Sequence, residues 1–328
     1  MKKGFKILAI ESSCDETSCS VVVDGRTCLS NIVSSQIDIH TRFGGVVPEV
    51  ASRNHVTAID NVVQEGLKQA NCELKDIDAI AVTYGAGLIG SLLVGVSYAK
   101  GLSYATGKPL IAVNHIYGHI AGNYLTYPDL KPPFICLLVS GGHTQIIDVK
   151  SYSELEIIGE TIDDAVGEAY DKVARLIGLP YPGGPKLDKL AQEGNPHAFK
   201  LPEAKVDGYN FSFSGLKTAV LRLVKSFEGQ DLPVNDICAS FQECVSSTLL
   251  KKVKRAAEER GYKQVVLAGG VAANSEIRKK IFDLKEEGYD VYAPVMKYCT
   301  DNASMVASAA FFFDKTFDDI NVEVFSRA

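Results

Sequence analysis

Two stretches of the chain share one plan. Residues 6–23, KILAIESSCDETSCSVVV, and residues 134–149, FICLLVSGGHTQIIDV, each run from an apolar strand through a polar turn into a second strand. A continuous apolar run of this kind is typical of a strand that is buried on both faces. The similarity lies in the pattern rather than in the residues themselves. It predicts an α/β chain with two related halves.

Periodicity places the remaining elements around these two units. We predict further strands at residues 27–33, 77–83, 110–114, 263–267 and 290–293, and helices from Pro48 and at residues 91–105, 115–125, 164–177, 214–227, 234–260, 275–287 and 302–314. Residues 178–208 contain five prolines, so we expect an irregular loop there that crosses over an active site.

Composition excludes several classes of protein. The 328 residues include 46% hydrophobic and 23% charged residues, which is a globular balance rather than a disordered one. The formal net charge of −6 argues against a surface that is basic throughout and leaves room for a local basic patch. We find no signal peptide, no apolar run of membrane-spanning length and no CxxC among the eight cysteines. We therefore expect a cytoplasmic protein with reduced thiols.

Three glycine-rich turns are candidates for holding phosphate. They are LVSGGHT (residues 138–144), YPGGP (181–185) and AGGVAAN (268–274). Glycine lets the backbone approach an anion, and successive N–H groups can point at it. Each turn alone is also compatible with an ordinary connection. None matches GxxxxGK[ST] or GxGxxG, so neither a P-loop nor a Rossmann site is indicated.

The hexapeptide NHIYGH spaces His115 and His119 four residues apart. On a helix this spacing puts both imidazoles on one face, where they can reach one metal ion. A buried or exposed pair without a metal is the alternative. No glutamate lies between them, so the metalloprotease pattern HExxH is absent. Asp301 is a candidate third ligand or, alternatively, a helix N-cap.

Charged clusters complete the list of candidates. The segment ESSCDET supplies Glu11, Asp15 and Glu16, which could orient a metal, a water or an amine, or could merely cap a turn. The basic segments KKVKR (residues 251–255) and RKK (278–280) favour solvated helix faces, with contacts to a phosphate backbone as the alternative.

Taken together, the motifs of this chain resemble those of the TsaD family (also called Gcp or YgjD), the bacterial relatives of the catalytic KEOPS subunit. The resemblance covers about residues 5 to 311 and is carried by ESSCDETS, HTRFGGVVPEVASRNH, NHIYGH, LVSGGHT, DDAVGEAYDK, YPGGP, FSFSGLKT, AGGVAAN and CTDN, in this order. In one turn this chain has GAGL, with Ala86 at the place where the family usually has proline.

The resemblance implies an actin-like ATPase (ASKHA) fold with two similar lobes and a central cleft. Residues 1–120 would form the first lobe, with a helical insertion around residues 48–70. Residues 121–328 would form the second lobe and carry most of the nucleotide site, with the last helix returning to the first lobe.

The resemblance also implies roles for particular residues. One divalent metal ion, iron or zinc, would be bound by His115, His119 and Asp301. The nucleotide phosphate and the substrate would lie against Leu138, Val139, Ser140, Gly141 and Gly142. The ribose would meet Asp171 and Asp188, and the adenosine would be bordered by Gly184 and Asn274. Proton transfer or orientation would fall to Asp15, Glu16 and His143.

The implied activity is that of a tRNA N6-adenosine threonylcarbamoyltransferase. The group would pass from threonylcarbamoyl-AMP to N6 of adenosine 37 in tRNAs that read ANN codons, and AMP would leave. The implied partners are tRNA, a TsaB-like paralogue and a TsaE-like ATPase, with a homodimer as the alternative in their absence. Three other functions remain open at this point: a sugar kinase or ATPase of the same fold, a metalloprotease, and a non-catalytic scaffold.

Overall fold

A computed structural model describes residues 3–313 and 320–326. Its chain separates into two compact units, Met1–Leu130 with Pro294–Ala328, and Lys131–Ala293. The domain boundary predicted between residues 120 and 121 falls inside a helix, and that assignment stays a prediction. Within the described residues, no helix combines the length and the apolar character that crossing a membrane requires.

The described residues form both strands and α-helices. The strands are β1 (Lys6–Glu11), β2 (Glu16–Val23), β3 (Thr27–Ser35), β4 (Ala79–Gly85), β5 (Leu110–Asn114), β6 (Phe134–Val139), β7 (Thr144–Ser151), β8 (Glu154–Glu160), β9 (Gln264–Ala268) and β10 (Asp290–Tyr292). The α-helices are α1 (Ile37–Thr41), α2 (Pro48–Gln69), α3 (Ile89–Thr106), α4 (His115–Thr126), α5 (Val166–Leu176), α6 (Gly184–Ala191), α7 (Ser214–Ser226), α8 (Val234–Arg260), α9 (Ser275–Asp283) and α10 (Ala303–Phe312).

The two units contain sheets with the same topology. The first sheet has the order β3-β2-β1-β4-β5, and the second, taken from the opposite edge, has the order β8-β7-β6-β9-β10. In both sheets the central strand pairs antiparallel with the strand that follows it and parallel with a later one. The predicted duplication of a strand-turn-strand unit is thereby confirmed.

Alternation along β2 divides the first unit into layers. Cys19 and Val21 belong to a buried apolar cluster with residues of α2 and α3. Ser18 and Ser20 occupy the alternate positions, and their hydroxyls bond the first turn of α10, at the amide of Ala303 and the hydroxyl of Ser304. Because successive side chains of a strand point to opposite faces, this sequence places helices on both sides of the sheet.

Turn and cap residues set the ends of several elements. Asp24 and Gly25, with φ of 50° and 67°, form the predicted hairpin turn between β2 and β3. Pro48 lies in the first turn of α2, where its missing N–H costs nothing. Gly261, with φ of 68°, ends α8 at the predicted residue. The Gly85–Ala86 peptide, at the departure from the family pattern, is cis.

Among the α-helices and strands of the described residues, three were not predicted. The chain forms β8 after β7, forms α1 before α2, and forms α6 inside residues 178–208, which we expected to be irregular. Pro185 lies at the start of α6, where proline is tolerated, so the proline-rich composition concealed a helix. The last helix ends at Phe312, and residue 314, the predicted end, lies outside the described residues.

Gly269 fixes the distance between β9 and β6. Its φ is +91°, and a Cβ placed on it would overlap the backbone of Val139 at the end of β6, beginning with the carbonyl oxygen. A Cβ added to the neighbouring Gly270 would meet no atom within 4 Å. The first of these glycines is therefore required by both space and conformation, and the second is not.

We predict that Gly269→Ala destabilises the second unit by about 2 kcal/mol or more, because a backbone clash is added to an unfavourable φ. Thermal unfolding checks this, with Gly270→Ala as the matched control that should unfold close to the wild type. Equal melting temperatures for the two variants would contradict the prediction.

Candidate active site

A group of three side chains in the first unit has the composition of a metal site. Among residues 3–313 and 320–326, His115, His119 and Asp301 form the one group of three whose ligand atoms lie within 4.8 Å of one another. His115 and His119 follow β5 and lie one turn apart on α4. Asp301 directly precedes α10, and its neighbour Asn302 caps that helix by accepting the amide of Met305. The alternative that Asp301 is the N-cap is therefore wrong.

The spacing of these atoms matches a metal coordination shell. The Nε2 atoms of His115 and His119 lie 3.5 and 3.3 Å from Oδ1 of Asp301. With metal–ligand bonds of about 2.0–2.2 Å, the donor atoms of a tetrahedral site lie about 3.3–3.6 Å apart. Two imidazole nitrogens and one carboxylate oxygen also form a donor set that suits zinc or iron. The residues present therefore fit a divalent metal ion.

A buried carboxylate lies beside the ring nitrogen of His115 that faces away from the cluster. Oε2 of Glu11, at the end of β1, lies 3.4 Å from Nδ1 of His115, the ring nitrogen opposite the cluster. Glu11 also accepts hydrogen bonds from the hydroxyl of Thr83 at 2.6 Å and the amide of Ser13. The hydroxyl of Ser13 lies 3.2 Å from the same Nδ1. Such a carboxylate behind a metal-binding histidine orients the ring and raises its basicity.

Electrostatic interactions among these side chains shift their pKa values. Burial opposes the charge of His115, but Asp301 and Glu11 outweigh burial and raise the pKa of His115 to about 9. Burial raises the pKa of Asp301 to about 6, although His115 pulls it down. The pKa of Glu11 is lowered, because its hydrogen bonds and His115 overcome the effect of burial. The cluster thus gathers negative charge that a cation would neutralise.

The turn after β1 adds two more carboxylates to the first unit. Asp15 is buried, and Glu16 is half-buried, with its carboxylate 3.3 Å from the hydroxyl of Ser35. Burial, followed by the charges of Asp301 and Asp15, raises the pKa of Glu16 to about 10. Ser13 of the same turn lies 3.2 Å from Nδ1 of His115, so this turn lies beside the candidate metal ligands.

A buried histidine holds that turn in place. His55 on α2 donates from Nε2 to the carbonyl of Cys14 at 2.9 Å, and its Nδ1 lies 2.7 Å from the hydroxyl of Thr17. Both contacts suit the neutral ring, with Nδ1 accepting from Thr17. Burial lowers the pKa of His55 below its ordinary value. The histidine in the motif RNH therefore positions the carboxylate turn.

In the second unit, the corresponding turn exposes backbone groups in place of carboxylates. After β6, residues 140–143 close a tight turn in which Ser140 and His143 exchange backbone and hydroxyl hydrogen bonds. Gly141 and Gly142 are both exposed, and a Cβ added to either would meet no atom within 4 Å. The carbonyl of Ser140 accepts the amide of Gly167 in the first turn of α5. The turn is thus anchored at one end and open beside its glycines, as an anion site requires.

Two carboxylates organise the neighbouring glycine-rich segments. Oδ1 of Asp171 accepts the amides of Gly183 and Gly184 at 2.8 and 3.1 Å. Asp188, on α6, accepts from Gln242 and from both the amide and the hydroxyl of Ser275. The first carboxylate therefore fixes the YPGGP turn, and the second joins α6 to α8 and α9.

Asn274 belongs to the same polar network. Its Oδ1 caps α9 by accepting the amide of Ile277, and its Nδ2 donates to Gln242 at 2.8 Å. Leu138 and Val139 are fully buried as the end of β6, so they offer backbone rather than side chains. The structure thus brings Asp188 and Asn274 together through Gln242.

Several residues of these networks were not among the sequence candidates, including Ser13, Thr17, His55, Thr83, Gln242 and Ser275. Ser13 lies within the quoted motif ESSCDETS, so the motif could have identified it as a site residue. Gln242 lies in the middle of α8, and no spacing or turn chemistry distinguishes it from the other polar residues of that helix.

Comparison with known proteins identifies the family of this chain. Residues 27–308 match the family model described as TsaD: tRNA N6-adenosine threonylcarbamoyltransferase. Proteins named tRNA N6-adenosine threonylcarbamoyltransferase from Clostridium botulinum (strain 657 / Type Ba4) and Clostridium kluyveri (strain NBRC 12016) are each 56% identical, over 317 and 321 residues respectively. In both cases the match covers 95% of this chain and 93% of the relative.

Solved structures of low sequence identity share the fold. Full-length HypF in its phosphate- and nucleotide-bound form superposes with a TM-score of 0.66 at 16% identity, over 96% of this chain and 47% of HypF. Component A of the Acidaminococcus fermentans (R)-2-hydroxyglutaryl-CoA dehydratase gives 0.56 at 15% identity, over 95% and 98% of the two chains. The predicted actin-like ATPase (ASKHA) fold is confirmed.

The duplicated sheet defines the class: this is an α/β protein with the nucleotide-binding fold of the actin-like ATPases. Within that class, the chain belongs to the TsaD family of tRNA N6-adenosine threonylcarbamoyltransferases. It is therefore a transferase that modifies tRNA, and the family resemblance stated from the motifs is confirmed.

We predict that His55→Ala lowers the free energy of unfolding by about 2 kcal/mol at pH 7.5, because two buried polar partners lose their hydrogen bonds. The folded-state pKa of His55 lies below its unfolded value of about 6.5, so the stability that neutral His55 contributes is complete above that pH and is lost as the pH falls. The difference between variant and wild type should therefore shrink at pH 5.5.

Urea unfolding at both pH values measures this difference. His197→Ala, which removes an exposed imidazole from the second unit, is the control and should change stability by less than about 0.5 kcal/mol. A difference for His55→Ala that grows toward pH 5.5 would contradict the prediction.

Proposed function

We propose that the chain transfers the threonylcarbamoyl group from threonylcarbamoyl-AMP to N6 of adenosine 37 in tRNAs that read ANN codons. The new bond joins N6 to the carbamoyl carbon, the bond from that carbon to the AMP phosphate oxygen breaks, and N6 loses one proton. The observation that carries this proposal is the His115, His119 and Asp301 cluster, with its ligand-like spacing, in a chain of the TsaD family.

In this proposal His115, His119 and Asp301 hold one iron or zinc ion, and Glu11 fixes the orientation of the His115 ring. When bound, the ion supplies a Lewis acid and a template for donor oxygens. The chain's own contribution is a set of ligands positioned by α4 and the start of α10, with both histidines and the supporting Glu11 buried.

The second unit would hold the AMP part of the donor. Backbone groups of residues 138–142 would surround the phosphate, since Gly141 and Gly142 leave open space beside the turn. Oδ2 of Asp171 would accept a ribose hydroxyl, because the two amide contacts of this side chain are both made by Oδ1. Asp188 would be the second ribose contact, and Gly184 and Asn274 would border the adenosine.

The proton of N6 needs an acceptor as the new bond forms, and the phosphate leaves as an anion. We assign Asp15, Glu16 and His143 as candidates for orienting the amine or moving this proton. Asp15 and Glu16 belong to the turn that His55 anchors, and His143 closes the turn that would hold the phosphate. Holding the amine and the donor carbonyl in the geometry of the reaction would make their encounter effectively unimolecular and so lower the barrier.

Partners belong to the same proposal. We expect a TsaB-like paralogue to cover the outer face of α2 and α3, where Val56, Ile89 and Leu93 are 61, 42 and 49% exposed. Ser52 of α2 lies against Gly90 of α3, so these apolar side chains share one helix-pair surface. A TsaE-like ATPase would complete the assembly, which we place in the cytoplasm.

Depletion of the protein in its own cells tests the activity, because the cells supply the partners. Nucleosides from total tRNA are measured by liquid chromatography with mass spectrometry. Loss of threonylcarbamoyladenosine on depletion, with recovery on expression of the wild-type chain, supports the proposal. An unchanged level after complete depletion would contradict it.

We predict that His119→Ala fails to restore the modified nucleoside and no longer retains a stoichiometric metal ion, since one of three protein ligands is lost. Nucleoside analysis and elemental analysis of the purified chain check the two parts. The matched control is again His197→Ala, which should restore the nucleoside and keep the metal. Full modification by His119→Ala would exclude the metal role.

We further predict that Glu11→Gln raises the Kd for Zn²⁺ by about 10- to 100-fold while all three ligands remain. The amide keeps the shape of Glu11 but removes the charge that raises the basicity of His115. A competition titration with a chromophoric chelator gives the Kd, and circular dichroism verifies the fold. A Kd equal to that of the wild type would show that Glu11 does not support the site.

A further inference from the structure

One helix of the second unit concentrates positive charge in an acidic protein. Helix α7 contains Lys217, Arg222 and Lys225 and has no acidic residue, although the formal net charge of the chain is −6. At about 100° per residue the three cations fall within an arc of about 140°. Ser214 and Thr218 lie within the same arc, whereas the buried Leu216 and Val220 lie outside it.

The three cations of α7 differ from the basic segment of α8 in their acidic partners. Within the described part of the chain, no salt bridge joins Lys217, Arg222 or Lys225 to a carboxylate. The basic segment of α8 is the opposite case, because Lys251 pairs with Glu203 at 3.1 Å, Arg255 with Glu259 at 2.6 Å, and Lys254 with Glu287. The charge on α8 is neutralised locally, and the charge on α7 is available to an external anion.

The acidic residue nearest to the start of α7 is already engaged. Asp163 accepts hydrogen bonds from the hydroxyl of Ser212 and from the amides of Phe213 and Ser214. Its charge is therefore directed at the helix N-terminus. Beyond the other end, Glu228 is the first carboxylate along the chain.

The position of α7 connects this surface to the candidate phosphate turn. Helix α7 packs against α5, and the first turn of α5 donates the amide of Gly167 to the carbonyl of Ser140. Arg222 and Lys225 are exposed, and Lys217 is half-buried. A ligand on α7 would thus lie one helix away from the glycines of the LVSGG turn.

We infer that the cationic face of α7 binds the phosphate backbone of the tRNA substrate. This inference rests on the proposed function, which supplies the nucleic acid. Lysine, arginine and hydroxyl side chains are the groups that contact phosphates, and those contacts position a nucleic acid without reading its sequence. Lysine is depleted from the cores of protein–protein interfaces, and the face carries no large exposed apolar anchor among the described residues, so an acidic protein is the poorer match.

Binding of an unmodified tRNA transcript to the full-length chain, measured by fluorescence anisotropy from 50 to 200 mM salt, tests the inference. The variant carries Lys217→Gln, Arg222→Gln and Lys225→Gln. We expect its affinity to fall by about tenfold or more, and the slope of log K against log salt to fall in magnitude by about two to three. Wild-type affinity and slope would overturn the inference.

The matched control removes the same amount of charge from α8 through Lys251→Gln, Lys254→Gln and Arg255→Gln, and it should keep the wild-type slope to within about one. A second variant with Arg222→Gln and Lys225→Gln alone leaves Lys217 and the start of the helix untouched. Thermal unfolding verifies that every variant is folded. An equal loss of slope in the α8 control would also overturn the inference, because it would show an effect of net charge alone.

Complementation separates this inference from the proposed function. If the wild-type chain fails to restore threonylcarbamoyladenosine in depleted cells, the proposed function fails. If the wild type restores it and the α7 variant loses both tRNA affinity and modification, the inference is supported. A variant that loses modification yet binds tRNA like the wild type would overturn the inference and identify α7 as a contact for a protein partner.

Discussion

A single buried carboxylate ties together the elements around the candidate metal ligands. Glu11 is fully buried at the end of β1, where an isolated charge would be costly. Thr83 of β4, Ser13 of the following turn and His115 of α4 satisfy it. Two segments far from Glu11 in sequence, around Thr83 and His115, must therefore approach the end of β1 before the charge is tolerated. Asp301 extends this arrangement to the start of α10, so ligand geometry and folding depend on the same contacts.

The duplicated topology carries two turns of different chemical character. In the first unit the turn after the central strand is filled with carboxylates, and a histidine from α2 holds it. In the second unit the equivalent turn contains Gly141 and Gly142, which expose backbone groups instead of side chains. The same topology thus carries a carboxylate-rich turn in one unit and an open glycine-rich turn in the other, whereas the candidate metal ligands lie on α4 and just before α10.

The sequence predicted the parts of this molecule that local rules determine. Apolar runs located β1 and β6, and Gly261 marked the end of α8, because burial and chain geometry act within a few residues there. Helix α6 was missed because its first turn tolerates the proline that suggested a loop. For the site, the spacing of His115 and His119 was informative on its own. The contact between Asp188 and Ser275 was not, because it depends on how α6, α8 and α9 pack.

The first unit is discontinuous in sequence, since Pro294–Ala328 returns to the residues of Met1–Leu130. Synthesis on the ribosome delivers the two histidines of α4 long before Asp301 and α10 emerge. A nascent chain therefore carries an incomplete ligand set and lacks the helix that covers the serine face of β2. An ion held by all three candidate ligands could therefore bind only after Asp301 has been synthesised. Truncation shortly before residue 294 would leave the second unit intact in sequence and the first unit unable to mature.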